Sequence, residues 1–197
     1  MNRRSLASTA LLPILVLAAC GPPTAGMPAG FPQEPPGPVE PLVIPDTSLV
    51  IDRPAKWWIG GIRGPTVIVS LIGKPDGYPA FAIHSDPEFR IEADEDLDPA
   101  IEELFESIVA GREENRVVFA DWVSINGLRV HSSLMTFPSV AGLVSIRRLL
   151  FMHEHQPYIL TWSTRSADWP QIETMVEWCV ASLRLAPGSI IAAVIQD

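Results

Sequence analysis

The alternation of apolar and polar residues predicts a domain that mixes strands and helices. Three short runs, rich in β-branched or aromatic residues and bounded by Gly, Pro or Ser, have the length of strands. They lie at 48–54, 66–73 and 79–85. Each is too short for a typical helix, so we expect three strands in the first half of the domain.

A longer β-rich region follows and predicts an antiparallel meander. In "RVVFADWVSINGLRVHSSLMTF", Asn126-Gly127 separates two apolar runs, which is a strong signal for a two-residue hairpin. Two further runs, 142–154 and 158–164, follow predicted turns near 138–141 and at Gln156-Pro157. Because every connection is short, these four strands should pair in sequence order.

Two segments have apolar residues at helical spacing. In the first, Asp98 suits the N-cap and Pro99 the first helical position, with Gly111 as a stop. Its apolar face contains Leu97, Ile101, Leu104, Phe105, Ile108 and Val109. In the second, Asp168 and Gln171 resemble a capping box. Its stripe contains Ile172, Met175, Val176, Cys179 and Leu183.

The N-terminus has the features of a signal peptide. Arg3 and Arg4 precede the apolar run 6–19, which is interrupted by Pro13. A membrane-spanning helix needs about 20 apolar residues, so this run is too short to span. Its basic flank and small residues before Cys20 are typical of a cleaved leader.

The segment Leu17-Ala18-Ala19-Cys20 resembles the lipobox of bacterial lipoproteins. The resemblance implies that residues 1–19 are removed and that Cys20 is lipidated, with palmitate-type acyl chains. Two or more chains give a lasting membrane anchor. Gly21, where an Asp would retain a lipoprotein in the inner membrane, implies the outer membrane, facing the periplasm, if the source is Gram-negative. The alternative is an ordinary signal peptide cut near Ala19.

The remaining chain divides into a tether, a domain and a tail. Residues 20–42 comprise Cys20 and a Pro/Gly-rich stretch without periodicity, which is typical of a spacer. The folded domain is predicted at 43–186, and residues 187–197 form a short apolar tail.

Charge and cysteine content limit the possible partners. Removing residues 1–19 takes away two arginines and no acid, so the formal charge goes from −9 to −11. An acidic chain argues against nucleic acid as a partner.

With Cys20 lipidated, Cys179 has no intrachain partner, and its place on an apolar helix face predicts a buried, inert thiol.

Three segments resemble the PsbP-like family. "IDRPAKWW" (51–58) resembles its strand-Pro-x-x-Trp opening, and "VSINGLRVHSS" resembles its central hairpin. "YILTWSTRSADWPQIETMVEWCVASLRL" (158–185) resembles its terminal strand and helix. The resemblance implies an α+β fold, specifically an α/β/α sandwich whose antiparallel sheet has helices on both faces. The family includes envelope lipoproteins of the DcrB type. Membership would imply a function in binding or assembly rather than in catalysis.

No motif predicts a catalytic site, a metal or a cofactor. "HEH" (153–155) would place two histidines on one strand face, but His155 falls in the predicted turn. His131 should pair near Leu149, about 13 Å from His153, which is too far for shared ligation. His84 is expected to be structural. The acidic run 92–98 lacks the spacing of a calcium loop.

Two pairs of adjacent residues lead to further predictions. Arg147-Arg148 should place one charge on each face of a strand, and one of the two should form a rim contact or a buried pair with a carboxylate. Trp57 and Trp58 cannot both face one side of a strand. One should pack and the other could bind a partner, since tryptophan is enriched at interaction hot spots.

Together these features predict a non-enzymatic, membrane-anchored envelope protein that binds an envelope protein partner. One alternative is a metal- or small-ligand-binding protein, or a hydrolase, that uses His84, His131, His153 and His155. Another is a lipid carrier, if the sheet leaves an apolar gap beneath a helix.

Overall fold

The computed structural model describes residues 31–32, 34–59, 66–75, 77–85, 97–110, 114–140 and 142–186. Within these residues the chain forms ten strands and two helices. The strands of the first half are β1 (Val39–Val43), β2 (Leu49–Pro54), β3 (Trp58–Ile59), β4 (Val67–Ile72) and β5 (Ala80–Ser85). Helix α1 (Leu97–Ala110) precedes β6 (Arg116–Ile125), β7 (Leu128–Ser139), β8 (Gly142–His153) and β9 (Gln156–Arg165). Helix α2 (Trp169–Ala181) and β10 (Arg184–Leu185) follow.

A seven-stranded antiparallel sheet has the order β3-β4-β5-β9-β8-β7-β6. The predicted meander is confirmed, because β6, β7, β8 and β9 are neighbours in sequence order. The hairpin at Asn126-Gly127 is also confirmed. Both residues have positive φ, 49° and 85°, as a turn of this type requires.

A smaller sheet, β1-β2-β10, includes part of the predicted tether. Strand β1 begins at Val39 and pairs with β2 from Val39↔Pro54 to Val43↔Val50. Pro41 lacks an N–H, but β1 is an edge strand, where proline is tolerated. The prolines led to the prediction of a tether where β1 forms.

Helix α2 packs on the large sheet and closes the main apolar core. Phe81 stacks on Trp162 with ring centroids 4.7 Å apart. Val176, Cys179 and Val180 of α2 are buried in the same cluster. The cluster also contains Ile51, Leu71, Leu149, Phe151, Leu160 and Leu183.

The predicted position of one turn is wrong. The turn predicted at Gln156-Pro157 lies at Glu154 and His155, whose φ values are 51° and 63°, and His153 pairs with Gln156. Pro157 has no N–H to donate to a neighbouring strand. It is tolerated within β9 because the pairing of β5 with β9 ends at Ser85↔Tyr158, so no residue of β5 lies opposite Pro157.

The helix starts also differ from expectation. Asp98 lies inside the first turn of α1 and is ion-paired to Arg129 instead of serving as the N-cap. Asp168 is the N-cap of α2, but its side chain makes no capping hydrogen bond. The Gln171 N–H instead bonds to the Asp168 carbonyl.

Candidate functional site

A cavity of about 410 Å³ lies between α1 and strands β5, β8 and β9 of the large sheet. This volume is within the range of small-molecule pockets, about 300–1,000 Å³. Apolar side chains form much of its wall, namely Leu104 and Ile108 of α1 with Pro157 and Ile159 of β9. The polar residues at the wall are Thr66, His84, Ser85, Arg148 and Thr161.

The strand register brings residues of the cavity wall together from separate strands. It pairs His84 of β5 with Ile159 of β9, and Thr161 of β9 with Arg148 of β8. Directly paired residues on neighbouring antiparallel strands share a face of the sheet. Each of these two pairs therefore faces the cavity beside α1.

Among the described residues that line this cavity, Arg148 is the one with a guanidinium, and its hydrogen-bonding groups are poorly satisfied. Its Nε is buried and has no hydrogen-bond partner among the described residues. Its Nη1 lies 3.8 Å from the sulfur of Met135, which is a weak acceptor. Burial lowers the pKa of Arg148. No carboxylate in the described part of the chain forms an ion pair with it.

The adjacent residue, Arg147, is satisfied in every respect. Its Nε and Nη2 donate to the two carboxylate oxygens of Glu177 on α2, at 2.7 and 3.3 Å. Its Nη1 donates to the Ser133 carbonyl at 3.2 Å. The prediction of a buried pair with a carboxylate is confirmed for Arg147.

His84 also lines the cavity, on β5. Burial, and then the positive charge of Arg148, lower the pKa of His84. A neutral imidazole at neutral pH leaves one hydrogen-bond donor and one acceptor beside the guanidinium. The described part of the wall therefore has one fixed positive charge and several neutral polar groups.

The other histidines are dispersed. His131 pairs with Leu150 rather than Leu149, and its ring packs between Phe105 and Trp122 at 4.5 and 5.3 Å. His153 bonds Ser48 at 2.9 Å through Nε2, and His155 lies in the turn. Among the described residues, no three His, Cys, Asp or Glu side chains form a group that could hold a metal ion.

The two tryptophans have different surroundings. Trp57 is partly buried against the core, and its indole lies so close to Gly73 that a Cβ there would be 2.9 Å from Nε1. Its carbonyl accepts a hydrogen bond from Arg53 at 2.6 Å. Trp58 lies on edge strand β3 and is 46% exposed. The structure thus separates a packed and an exposed ring, as the sequence predicts.

A second exposed surface was missed. Val117, Val118 and Phe119 are all exposed, on edge strand β6 of the large sheet. The register shifts between Val117 and Phe119, so Val118 lies at a bulge. We call this segment the β6 edge, residues 117–119. Its signal in the sequence is three consecutive apolar residues, which break the alternation of a half-buried strand.

Of the two cysteines, the structure describes Cys179. Cys20 and residues 92–96 of the acidic run lie outside the described residues. Cys179 is buried and free, and burial raises the pKa of its thiol to about 12. This confirms that the thiol is buried, and its inertness stays a prediction. No helix in the described ranges is both long enough and apolar enough to span a bilayer.

Comparison with known proteins identifies the fold. No protein-family model matches the chain, and no curated protein matches it at a significant level. Among solved structures, cyanobacterial PsbP (CyanoP) from Synechocystis sp. PCC 6803 is 12% identical, with a TM-score of 0.58 over 86% of this chain and 98% of that one. LpqN of Mycobacterium tuberculosis, involved in cell envelope biogenesis, is 8% identical, with a TM-score of 0.56 over 76% and 91%. The chain therefore has a sheet-dominated, PsbP-like fold.

Proposed function

We propose that this chain is a non-enzymatic, lipid-anchored protein of the cell envelope that binds a protein partner through its folded domain. The anchor is supported by the lipobox-like sequence ending at Cys20. The envelope is supported by the fold shared with LpqN, which is involved in cell envelope biogenesis. The single observation that carries partner binding is the exposed β6 edge.

The β6 edge has the chemistry of a strand-addition site. In the described part of the sheet, β6 pairs with β7 alone, so one row of its backbone groups has no strand partner. Natural edge strands are usually protected by charges or proline. Here Val118 is 57% exposed, and its two neighbours are also exposed. Contiguous exposed apolar surface on an edge favours an extended partner segment that adds a strand.

Trp57 and Trp58 remain a proposed second contact, at the opposite edge of the sheet. Trp58 offers the exposed ring, and Trp57 fixes the short strand β3 by packing against the core. An exposed tryptophan on a fixed backbone has the properties of an interaction anchor.

For the whole chain we propose removal of residues 1–19, lipidation of Cys20, and a tether that ends before Val39, followed by the domain and the tail 187–197. The protein would belong to the DcrB-type envelope lipoproteins. Gly21 favours the outer membrane in a Gram-negative source.

We also propose that the domain is an α/β/α sandwich. Consecutive strand residues point to opposite faces. Arg147 contacts Glu177 of α2, and the next residue, Arg148, lines a cavity with Leu104 and Ile108 of α1. These contacts support a helix on each face.

The anchor is tested by metabolic labelling with a clickable palmitate. We expect label on the wild-type chain and on Cys179→Ala, and none on Cys20→Ala, which should also leave the membrane fraction. Cys179→Ala is a matched control because the chain has two cysteines. Equal labelling of Cys20→Ala would contradict the proposal.

The partner surface is tested by in-cell crosslinking and purification of Val118→Lys, Trp58→Ala and the control Glu103→Lys. Glu103 is exposed on α1, so its variant changes a surface charge outside the β6 edge. We expect Val118→Lys to lose the main partner at least tenfold and Glu103→Lys to keep it. Equal recovery with Val118→Lys would exclude the β6 edge, and equal recovery with Trp58→Ala would exclude Trp58.

A second candidate function, small-ligand binding, is favoured by the cavity beside α1.

A further inference from the structure

The charge of Arg148 is the feature of the cavity that most needs an explanation. A guanidinium stays protonated at any physiological pH. Arg148 is partly buried, and its Nε lies away from water with no hydrogen-bond partner among the described residues. Leaving a buried N–H of a charged group without a partner costs free energy. Arg147, one residue away, shows how this chain satisfies a buried guanidinium, with a carboxylate and backbone carbonyls. Nothing comparable reaches Arg148 from the described residues.

The walls around Arg148 define what else an occupant must offer. Leu104, Ile108 and Ile159 present apolar surface to the same space. A small inorganic anion would satisfy the charge but leave this surface wet. A neutral hydrocarbon would cover the surface but leave the charge without a counterion. A molecule with an anionic head and an apolar chain satisfies both.

The head should carry a single negative charge. Arg148 is the fixed cation of the cavity, and the nearby His84 has its pKa lowered by burial and by Arg148. A dianionic phosphate would therefore bring one more charge than the wall compensates. A carboxylate matches one guanidinium and can accept two parallel hydrogen bonds from it. Thr161 and Thr66 offer hydroxyl groups to the same space.

We propose that the cavity beside α1 binds a carboxylate with an aliphatic chain, its head on Arg148 and its chain against Leu104 and Ile108. The anchor and the protein partner are not needed for this assignment, which rests on the cavity alone. The site would make the domain a receptor or carrier for fatty-acid-type molecules.

The test is calorimetric titration of the purified full chain with dodecanoate, below its micelle concentration. Dodecan-1-ol has the same chain without the charge, and dodecyl phosphate has the same chain with a different head. Arg148→Met removes the charge and keeps an apolar side chain of similar reach. Arg116→Met, on an exposed arginine of β6, is the matched control.

We expect dodecanoate to bind wild type and Arg116→Met within twofold of each other, and Arg148→Met at least tenfold more weakly. Dodecan-1-ol should bind all three weakly. Arg148→Met should fold, because it removes an uncompensated charge, and its thermal midpoint without ligand should not fall. Undiminished dodecanoate binding by Arg148→Met, or equal binding of the alcohol, would overturn the proposal. Tighter binding of dodecyl phosphate would overturn the carboxylate head.

Discussion

The guanidinium of Arg147 and the carboxylate of Glu177 form a two-point ion pair that joins the centre of the sheet to helix α2. The Arg147 side chain is 3% exposed and the Glu177 side chain 25%. The pair lies where β8 and α2 enclose the core, so it fixes how the helix sits on the sheet.

Removing the acid should leave Arg147 charged and buried without a counter-ion, with its bond to the Ser133 carbonyl still in place. For Glu177→Gln we expect a loss of about 2–4 kcal/mol in the free energy of unfolding, below the full cost of a broken buried pair because Glu177 is partly exposed. Urea unfolding measures this. Arg147→Met/Glu177→Leu should lose less than Glu177→Gln, since no charge is stranded. A double variant less stable than the single one would contradict the argument.

Asn126 ties the β6–β7 turn to the end of α2. Its Nδ2 donates to the carbonyls of Ala181 and Leu183, both at 2.9 Å. Asn126→Gly keeps the tolerance for positive φ and removes both bonds, so we expect a loss of about 1–3 kcal/mol in urea unfolding.

Glu154→Gly is the matched control for Asn126→Gly. Glu154 begins the two-residue turn between β8 and β9, with φ 51°, and its side chain is exposed. Glycine there should be neutral or slightly stabilising. Equal losses for the two variants would show that the turn itself, and not the anchoring to α2, sets the cost.

Stability should fall between pH 7.5 and pH 5. Burial lowers the pKa values of His84, His131 and His153 from their ordinary 6.5. Near and below pH 6.5 the unfolded chain therefore binds more protons than the folded one, so the stabilisation is present above 6.5 and is lost as pH falls through the folded values. The urea midpoint at several pH values measures this.

The contribution of His131 to this pH dependence of stability can be measured with one variant. His131→Phe should reduce the slope, because a phenyl ring fits between Phe105 and Trp122 and cannot take up a proton. The pKa of Asp98 is held below 3.8 by hydrogen bonds from Arg129, so that group acts below this range. A midpoint that is constant or rises on acidification would contradict the prediction.

Cys179 should resist thiol reagents in the folded protein. It is 1% exposed, and burial raises the pKa of its thiol to about 12. In Cys20→Ser, where one thiol remains, modification at pH 8 should track unfolding in urea. Rapid stoichiometric reaction without denaturant would show that the thiol is accessible.

Much of the fold could be predicted from local patterns. The Asn126-Gly127 turn and the short connections determine the meander, because antiparallel neighbours need only short loops. Proline misled the prediction twice. Pro41 suggested a tether where an edge strand forms, and Pro157 suggested a turn where β9 begins.

The site was harder to predict because it depends on register and on empty space. The sequence shows that the side chains of Arg147 and Arg148 lie on opposite faces of the strand. It does not show which of the two forms an ion pair with a carboxylate. That depends on Glu177, which is 30 residues away. The cavity wall brings together His84, Thr161 and Arg148 from β5, β9 and β8, and these residues meet only when the three strands pair.

The central claim, a tethered domain that binds a protein partner through the β6 edge, is tested most directly by site-specific photocrosslinking in cells. A photoreactive phenylalanine analogue would replace Val118, with Glu173, exposed on α2, as the control position. We predict one major adduct with another envelope protein from position 118, none from position 173, and loss of the adduct in Cys20→Ala. The claim would be contradicted by no adduct at 118, by equal adducts at both positions, or by an adduct with a second copy of this chain.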